Sequence, residues 1–433
     1  MDEIQIIIRS GKCDWGECLF CGWGPVESSK MTIHQMKEFI DDNFEKVKDI
    51  EWVKIYNSGS FLDENQIPKA MRSYIIRKAE EKNVKRLVVE CLPKFMTDEA
   101  LKDIESSKIK VYIGVGLEVA DNDVLKKLGK GITTIESFAQ AAHLAHMHGI
   151  GIRAYLLANP PFVKDVKESL KQSIEFALKH SDYISVCNVF PHAHSKVFEM
   201  WVEGKWKPLG RKEFESLVKE YKDTRIEKHF DEFVHPPRWR EQPPIRGATE
   251  KELLHPYYEV WQDYINRFWE PNPDKSILLF VPCSFKKPYF ASQLHKAIFS
   301  VVNGLEIKDK LQIAAISSPG VIPYEFVNYY PFNRYDWPEW EETPEIKKKY
   351  TEVTQKRTES FLEAHGSNWK KVYCYFKPTA ESYIALKRAC EKLGIELINC
   401  LKDETYDKIK DEKNPLSLPQ ALEDLRTGLT LPK

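Results

Sequence analysis

The chain has 433 residues, a net charge of −1, 42% apolar residues and 30% charged residues. These values are ordinary for a globular protein of two or three domains and argue against indiscriminate nucleic-acid binding, although they leave a local basic face open. No apolar run approaches the length of a membrane span, residues 1–20 lack the pattern of a signal peptide, and the nine cysteines do not suggest a disulfide framework. We therefore expect a cytoplasmic protein.

Three cysteines follow the first predicted strand, which is the apolar run from Ile4 to Ile8. Cys13, Cys18 and Cys21 have the spacing C-x4-C-x2-C. Three close thiolates suit soft metal ions, and on a cubane iron–sulfur cluster they leave one iron open to a substrate or cosubstrate. A disulfide with one odd thiol and half of a zinc site are the alternatives, but the nearest further zinc ligand, His34, lies too far along the chain. The spacing favours a cluster held by these three cysteines.

The next three predicted strands end in small or acidic residues. Strand two is followed by the turn Asn57-Ser58-Gly59-Ser60-Phe61, where small residues let a ligand approach the backbone, or simply make a tight turn. Glu90 emerges at the end of strand three and Glu118 at the end of strand four, although a glutamate at a strand end is more often merely solvated. Strands and helices alternate up to about residue 189. This alternation predicts a partial (β/α)6 barrel, in a domain of residues 1–235, with its functional groups at the carboxyl ends of the strands.

The strand, the three-cysteine loop with an aromatic residue before its last cysteine, and the helix that follows resemble the signature of radical S-adenosylmethionine (SAM) enzymes. The spacing has one residue more than the C-x3-C-x2-C that is commonest in that family. The resemblance implies a [4Fe-4S] cluster at Cys13, Cys18 and Cys21, bound SAM and an electron donor. It also implies that the cofactor lies at five further residues: Ser58, Gly59, Ser60, Glu90 and Glu118.

The segment from Ile55 to Glu64, together with Cys187-Asn188-Val189, resembles one branch of this family, the radical SAM enzyme of archaeosine formation. This resemblance covers roughly residues 1–235. It implies that the substrate is a tRNA.

A proline-rich linker and an aromatic helix are predicted over residues 236–275, a smaller α/β layer domain over 276–405, and a polar tail over 406–433. The first strand of the smaller domain ends in a polar loop that precedes a helix. Such a loop suits a small ligand, and Lys287 with the helix amides would favour a carboxylate or phosphate. Cys283, at the end of the strand, is either a small buried residue or a nucleophile whose thiolate is stabilised by its neighbours.

The run Pro-Cys-x3-Lys-Pro-Tyr-x2-Ser-x2-His at residues 282–295 resembles the core domain of archaeosine synthase. That enzyme adds lysine to the nitrile of 7-cyano-7-deazaguanine (preQ0) in the D-arm of tRNA. The resemblance implies that Cys283, Lys287 and His295 are catalytic and that Tyr289 and Ser292 bind the substrate. The transglycosylase-like part and the RNA-binding module that are usual in that family are not found here.

Together these patterns predict a radical SAM carbon–nitrogen lyase that converts a lysine adduct of preQ0 in tRNA into archaeosine. The second domain either forms that adduct from free lysine, through a transient thioimidate at Cys283, or only binds tRNA or recruits a separate archaeosine synthase or tRNA-guanine transglycosylase. Another radical modification such as methylthiolation is less favoured because the remaining cysteines show no spacing for a second cluster. A non-enzymatic iron–sulfur protein is least favoured, since Gly59 and Glu118 occur at the expected strand ends.

Overall fold

A computed structural model of the protein describes residues 3–22, 30–46, 50–105, 107–192, 195–231, 237 and 242–430. The chain divides into two compact units, Met1–Glu232 and Phe233–Lys433. The predicted domain boundary at residue 235, and residues 236 and 238–241 of the predicted linker, lie outside the described residues. Within the described part of the chain, no helix combines the length and the apolarity needed to cross a membrane.

The first unit contains a seven-stranded sheet whose spatial order follows the sequence. All neighbouring strands are parallel, and the sheet curls into a half-barrel. The predicted partial barrel is therefore confirmed, with one strand more than expected because the short final strand adds to the open edge. The strands are β1 (Glu3–Ile8), β2 (Trp52–Asn57), β3 (Arg86–Glu90), β4 (Lys110–Glu118), β5 (Gly151–Leu157), β6 (Tyr183–Cys187) and β7 (Ile226–His229).

Helices occupy the connections between these strands. Thr32 caps the first helix, since its hydroxyl accepts a hydrogen bond from the backbone N–H of Gln35 (3.2 Å). The helices are α1 (Ile33–Phe44), α2 (Lys69–Glu81), α3 (Asp98–Glu105), α4 (Asn122–Lys127), α5 (Ile135–Met147), α6 (Val166–His180), α7 (Lys196–Val202) and α8 (Arg211–Val218).

The two faces of the half-barrel differ in chemistry because successive strand residues point to opposite sides. One set, for example Val53 and Ile55 of β2, packs with the helices into the apolar core. The other set lines the concave face. Near the amino ends of the strands this face is closed by packed rings of Trp52, Tyr112 and Tyr183, whose centroids lie 5.3–5.4 Å apart. Ligand access is therefore expected from the carboxyl ends.

The second unit is built around a five-stranded sheet with the order β11-β10-β9-β13-β14, in which only β11 runs antiparallel to its neighbour. A two-residue pairing of β8 with β12 lies apart from it. The strands are β8 (Ile245–Arg246), β9 (Ile277–Pro282), β10 (Leu311–Ser317), β11 (Gly320–Pro323), β12 (Tyr335–Asp336), β13 (Lys371–Cys374) and β14 (Leu397–Asn399). The helices are α9 (Glu250–Leu253), α10 (Pro256–Arg267), α11 (Gln293–Val302), α12 (Pro344–His365), α13 (Glu381–Leu393), α14 (Asp403–Ile409) and α15 (Pro419–Leu429).

The prediction of a polar tail over residues 406–433 is wrong. This segment contains the end of α14 and all of α15, and Ala421, Leu425 and Leu429 are completely buried. Their spacing of four residues makes one apolar helix face, which the polar composition of the other faces conceals. The segment is part of the core of the second unit.

Replacing Leu425 by alanine tests this correction. Because Leu425 is fully buried, Leu425→Ala should lower the free energy of unfolding by about 2–5 kcal/mol. This is the usual loss when buried apolar atoms are removed and a cavity is left in their place. The exposed Glu423 of the same helix provides the control, and Glu423→Ala should change the value by less than about 0.5 kcal/mol. Urea unfolding followed by circular dichroism measures both. Equal, small effects would show that α15 is dispensable.

Candidate functional site

The three cysteines lie in one loop that follows β1 at the carboxyl edge of the half-barrel. All three are free and partly exposed, and burial raises the pKa of Cys18 to about 12, against the opposing charge of Lys130. In the described residues no three His, Cys, Asp or Glu side chains are arranged to hold a metal ion, so the thiols do not form a ready-made ligand set. Their chemistry nevertheless fits a cluster with three cysteine ligands, since one partly exposed loop carries all three thiols.

Hydrogen bonds hold the cysteine loop against the turn that follows α4. The backbone N–H of Leu19 donates to the carbonyl of Leu128 (2.9 Å), and the indole N–H of Trp15 donates to the carbonyl of Gly129 (2.6 Å). Gly129 has a φ of +71°, and a Cβ at this position would lie 2.2 Å from the carbonyl oxygen of Glu17. Both the backbone conformation and the close approach therefore require glycine here.

A buried glutamine ties the same loop to the turn after β2. The Gln66 Nε2 group donates to the carbonyl of Lys12 (2.9 Å), and Oε1 accepts from the backbone N–H of Ser60 (2.5 Å) and the side-chain amide of Asn57 (3.3 Å). A Cβ on Gly59 would lie 2.3 Å from Gln66 Oε1. The space next to Gly59, where the resemblance placed the cofactor, thus holds an amide that positions the cysteine loop.

The two serines of this turn differ in their freedom to bind a ligand. Ser60 is buried, and its hydroxyl accepts a hydrogen bond from the backbone N–H of Leu92 (3.0 Å). Ser58 is partly exposed at the carboxyl edge. Of the two, Ser58 is better placed to meet a ligand.

Glu118 is paired with a lysine that the sequence patterns did not single out. Its backbone has a φ of +63°, where the register of β4 against β5 shifts, and its carboxylate accepts from the Lys130 ammonium at 2.7 Å. A Cβ on Gly116 would lie 2.2 Å from the carboxylate and 2.6 Å from the ammonium, so glycine makes room for this buried pair. A lysine between two glycines in a turn carries no sequence signal until the fold brings it beneath the end of β4.

Farther into the half-barrel, the concave face carries two ion pairs in which the cation is buried and the carboxylate is exposed or partly exposed. Lys54 Nζ lies 2.6 Å from a carboxylate oxygen of Glu3, and an Arg153 nitrogen lies 2.5 Å from one of Glu227. Burial alone would raise the pKa of Glu227, but hydrogen bonds from His229 and Arg153 lower it to about 2. Both cations are therefore neutralised by the protein itself.

Between these ion pairs and the carboxyl edge lie Tyr56, Glu90 and Tyr155. Gly114 is the register partner of Glu90, and a Cβ there would lie 2.7 Å from the Tyr155 ring, which therefore extends over the glycine toward β3. Burial raises the pKa of Glu90 to about 7, against the opposing charge of Lys130. Lys54 and Tyr56 are polar residues two positions apart in an otherwise apolar strand, so their side chains lie on the same side of the sheet. This spacing is the sequence signal from which the polar concave face could have been predicted.

In the second unit the structure brings Cys283, Lys287 and Tyr289 together. Lys287 Nζ lies 4.0 Å from the ring centroid of Tyr335, whose hydroxyl donates to Ser317 Oγ (2.6 Å) and shares a hydrogen bond with the Tyr289 hydroxyl. Burial raises the pKa of the Cys283 thiol, opposed by its hydrogen bond with Ser317 and by the charge of Lys287. Burial also lowers the pKa of Lys287. Ser317 and Tyr335 come from distant segments and were not predicted.

The other two predicted residues of this region bind protein groups. Ser292 caps α11 by accepting from the backbone N–H of His295 (3.1 Å). The buried His295 ring donates from Nε2 to the carbonyl of Pro282 (3.0 Å) and accepts at Nδ1 from the Tyr324 hydroxyl (3.2 Å). Burial lowers the pKa of His295 to about 4, so the ring is neutral near pH 7. Both ring nitrogens are occupied, which places His295 as a support of the strand end that precedes Cys283.

The half-barrel with a three-cysteine loop at its carboxyl edge is the arrangement that a radical SAM domain was expected to show. Residues 259–413 match the model of a family described as a domain of unknown function (DUF5591). The chain is 34% identical over 240 residues to the uncharacterized protein MJ0550 of Methanocaldococcus jannaschii, and the match covers 51% of this chain and 65% of that protein.

The chain is also similar to both subunits of archaeosine synthase. It is 28% identical to subunit beta of Methanosarcina acetivorans, over 47% of this chain and 62% of the subunit. It is 31% identical to subunit alpha of Thermoplasma acidophilum over 97 residues, which are 22% of this chain and 18% of the subunit. The chain therefore spans less than two thirds of each of these three relatives.

Replacing Gly129 by alanine tests the contact between the cysteine loop and the turn after α4. The added methyl group would lie 2.2 Å from Glu17 O, so iron incorporation under anaerobic reconstitution should fall to less than about half as the loop is displaced. Gly149 provides a matched control, because its φ is +69° and nothing lies within 4 Å of its Cβ position. Gly149→Ala should cost only about 1 kcal/mol of backbone strain and leave the iron content unchanged. Equal iron contents in the two variants would contradict the assigned contact.

The raised pKa of Glu90 predicts a pH-dependent cost to stability. Between its unfolded pKa of about 4.5 and its folded pKa of about 7, the folded state holds a proton that the unfolded state has lost, so stability falls as the pH rises. Glu90→Gln should therefore match the wild type near pH 4 and exceed it by about 1–2 kcal/mol at pH 8, less than the full shift implies because the group is partly exposed. Thermal unfolding at both pH values measures this difference. A variant less stable at pH 8 would contradict it.

Proposed function

We propose that this chain modifies tRNA in archaeosine formation, and that it carries both lysine addition and carbon–nitrogen bond cleavage. The observation that carries this proposal is that a single chain is similar to both archaeosine synthase subunits, beta over 47% and alpha over 22% of its length. Each compact unit also contains one cluster of reactive side chains, at Cys13–Cys21 and around Cys283. The substrate is accordingly a tRNA that contains preQ0.

In the first unit, Cys13, Cys18 and Cys21 would hold a [4Fe-4S] cluster. When bound, the cluster and SAM supply the radical that removes a hydrogen atom from the lysine side chain and so initiates cleavage of its carbon–nitrogen bond. Gln66 and Gly129 fix the loop that carries the ligands. Ser58 and the Glu118–Lys130 pair provide polar groups at the carboxyl edge that would orient the cosubstrate.

In the second unit, Lys287 would accept the proton of the Cys283 thiol, a role that its lowered pKa favours. The sulfur adds to the nitrile carbon of preQ0 while the nitrile nitrogen gains a proton, which gives a thioimidate. The side-chain amine of lysine then replaces the sulfur and leaves an amidine, and the thiol regains its proton. No oxidant or reductant is consumed. The hydroxyls of Tyr289, Tyr335 and Ser317 would hold the reacting groups in place.

Nucleoside mass spectrometry tests this order of steps. Without reductant, the purified chain should convert preQ0-containing tRNA and lysine into the lysine adduct and stop, and anaerobic addition of SAM and reductant should yield archaeosine. Cys283→Ala and Lys287→Ala should each slow adduct formation by about 100-fold or more, since each removes a reacting group. The exposed Lys286 next to this site is the matched control, and Lys286→Ala should form the adduct at the wild-type rate.

Supplying lysinylated tRNA tests the activity of the first unit independently of the second. Cys283→Ala should still convert it to archaeosine, whereas Cys18→Ala should not, and Cys91→Ala should retain the iron that Cys18→Ala loses. If the wild-type chain forms no adduct but processes supplied adduct efficiently, the second unit only binds tRNA or recruits a separate synthase. Failure of both steps with a fully loaded cluster would contradict the proposed function.

A further inference from the structure

The carboxylate of Glu90 lies on the concave face of the half-barrel without a cation of its own. The two basic side chains whose charges act on it, Lys130 and Arg153, are already paired with Glu118 and Glu227. Among the described basic residues, none forms an ion pair with Glu90. Glu90 is therefore a carboxyl group without a cation partner among the described residues, at the level between these two ion pairs and the carboxyl edge.

Two tyrosines flank this carboxylate. Ile55 pairs with Val89 in the register of β2 and β3, which places Tyr56 beside Glu90. Tyr155 reaches Glu90 from β5 because Gly114 of β4 leaves the space between them open. The Tyr155 hydroxyl is buried and makes no hydrogen bond of good geometry in the part of the chain that the structure describes, although it lies close enough to Glu90 and Tyr56 to interact with both. A buried hydroxyl with poorly formed hydrogen bonds is costly, so a ligand that supplies a better-placed partner would bind favourably.

We propose that Glu90, Tyr56 and Tyr155 bind a primary ammonium group of the substrate. The carboxylate balances its charge, the tyrosine rings attract a cation through their faces, and the hydroxyl oxygens accept its N–H groups. This inference rests on the proposed function, in which the side-chain nitrogen of lysine is part of the amidine. The primary ammonium group that lysine retains in the adduct is then its α-amino group. The site would select amino-acid adducts over simple amine adducts and hold the lysine chain at one depth in the half-barrel.

SAM carries the same ammonium chemistry, so the experiment must separate the two sources. Homoarginine mimics the lysine part of the adduct, because it joins an amidine-like group to the lysine side chain and keeps the α-amino group. The compound 6-guanidinohexanoate is the matched probe that lacks only the α-amino group. Calorimetry on the full, cluster-loaded chain measures the affinity for each probe and, separately, for SAM.

The wild-type chain should bind homoarginine about tenfold or more tightly than 6-guanidinohexanoate, as expected for one charge-assisted contact. Glu90→Gln should remove this preference and leave the affinity for SAM unchanged, while the exposed Glu99→Gln should keep both. Tyr155→Phe keeps the ring and removes the buried hydroxyl, and it should reduce the preference severalfold without lowering the melting temperature. This second variant keeps the test decisive if Glu90→Gln folds poorly.

The contrary outcomes are distinct. If Glu90→Gln weakens SAM binding and keeps the preference between the probes, Glu90 serves the cosubstrate and the inference is wrong. It is also wrong if the wild type shows no preference, or if Glu90→Gln converts lysinylated tRNA to archaeosine with unchanged kcat and KM. A Glu90-dependent preference in a chain that forms no archaeosine would support the ammonium site and overturn the proposed function instead.

Discussion

The attachment of the cysteine loop to two turns, one after β2 and one after α4, is the constraint on which the site of the first unit depends. The loop has no regular structure of its own, so its backbone groups and side chains must find partners elsewhere. Leu128 and Gly129 provide them after α4, and Gln66 provides them after β2. Because the first turn ends β2 and the second follows the short helix that leads away from β4, the sheet and this helix together determine where the thiols stand relative to Glu90 and Glu118. A substitution in either turn would therefore displace the cysteine loop even when no ligand is bound.

The concave face places charged side chains inside the half-barrel, which is unfavourable unless a partner or a ligand compensates for it. Burying charges is unfavourable unless they are paired, and the pairs Lys54–Glu3 and Arg153–Glu227 satisfy that condition within the protein. Glu90 does not satisfy it, because none of the described basic residues forms an ion pair with its carboxylate. In a sheet whose other face is a regular apolar core, such local violations are expected where a ligand completes the structure. The carboxylate that is unfavourable in the ligand-free protein would then be the same group that selects a ligand with an ammonium group.

Periodicity and end signals were sufficient to predict most of the fold, and chemistry at strand ends indicated candidate site residues, of which the structure brings Cys283, Lys287 and Tyr289 together. Alternating apolar runs and a cap such as Thr32 are local, so they can be read without knowing what packs against them. Gln66, Lys130 and Ser317 could not be predicted because their roles arise only when distant turns meet. His295 illustrates the reverse case: the resemblance implied a catalytic role for it, and the fold gives both of its ring nitrogens protein partners. The helix α15 was missed because three apolar residues in a polar stretch are a weak signal alone.

The two reactive clusters have opposite electrostatic character, and this difference suits the two proposed steps. Around Cys283, burial favours the neutral forms of both the thiol and Lys287, so a proton can pass between them and a neutral nitrile can enter without displacing an ion pair. The concave face of the half-barrel is charged and lacks one cation, which suits an adduct that has just gained an amino acid with a free ammonium group. Lysine addition would thus convert a ligand that fits the neutral cluster into one that fits the charged face. The order of the two proposed steps follows from their chemistry, because the carbon–nitrogen bond that the second step cleaves belongs to the lysine that the first step adds.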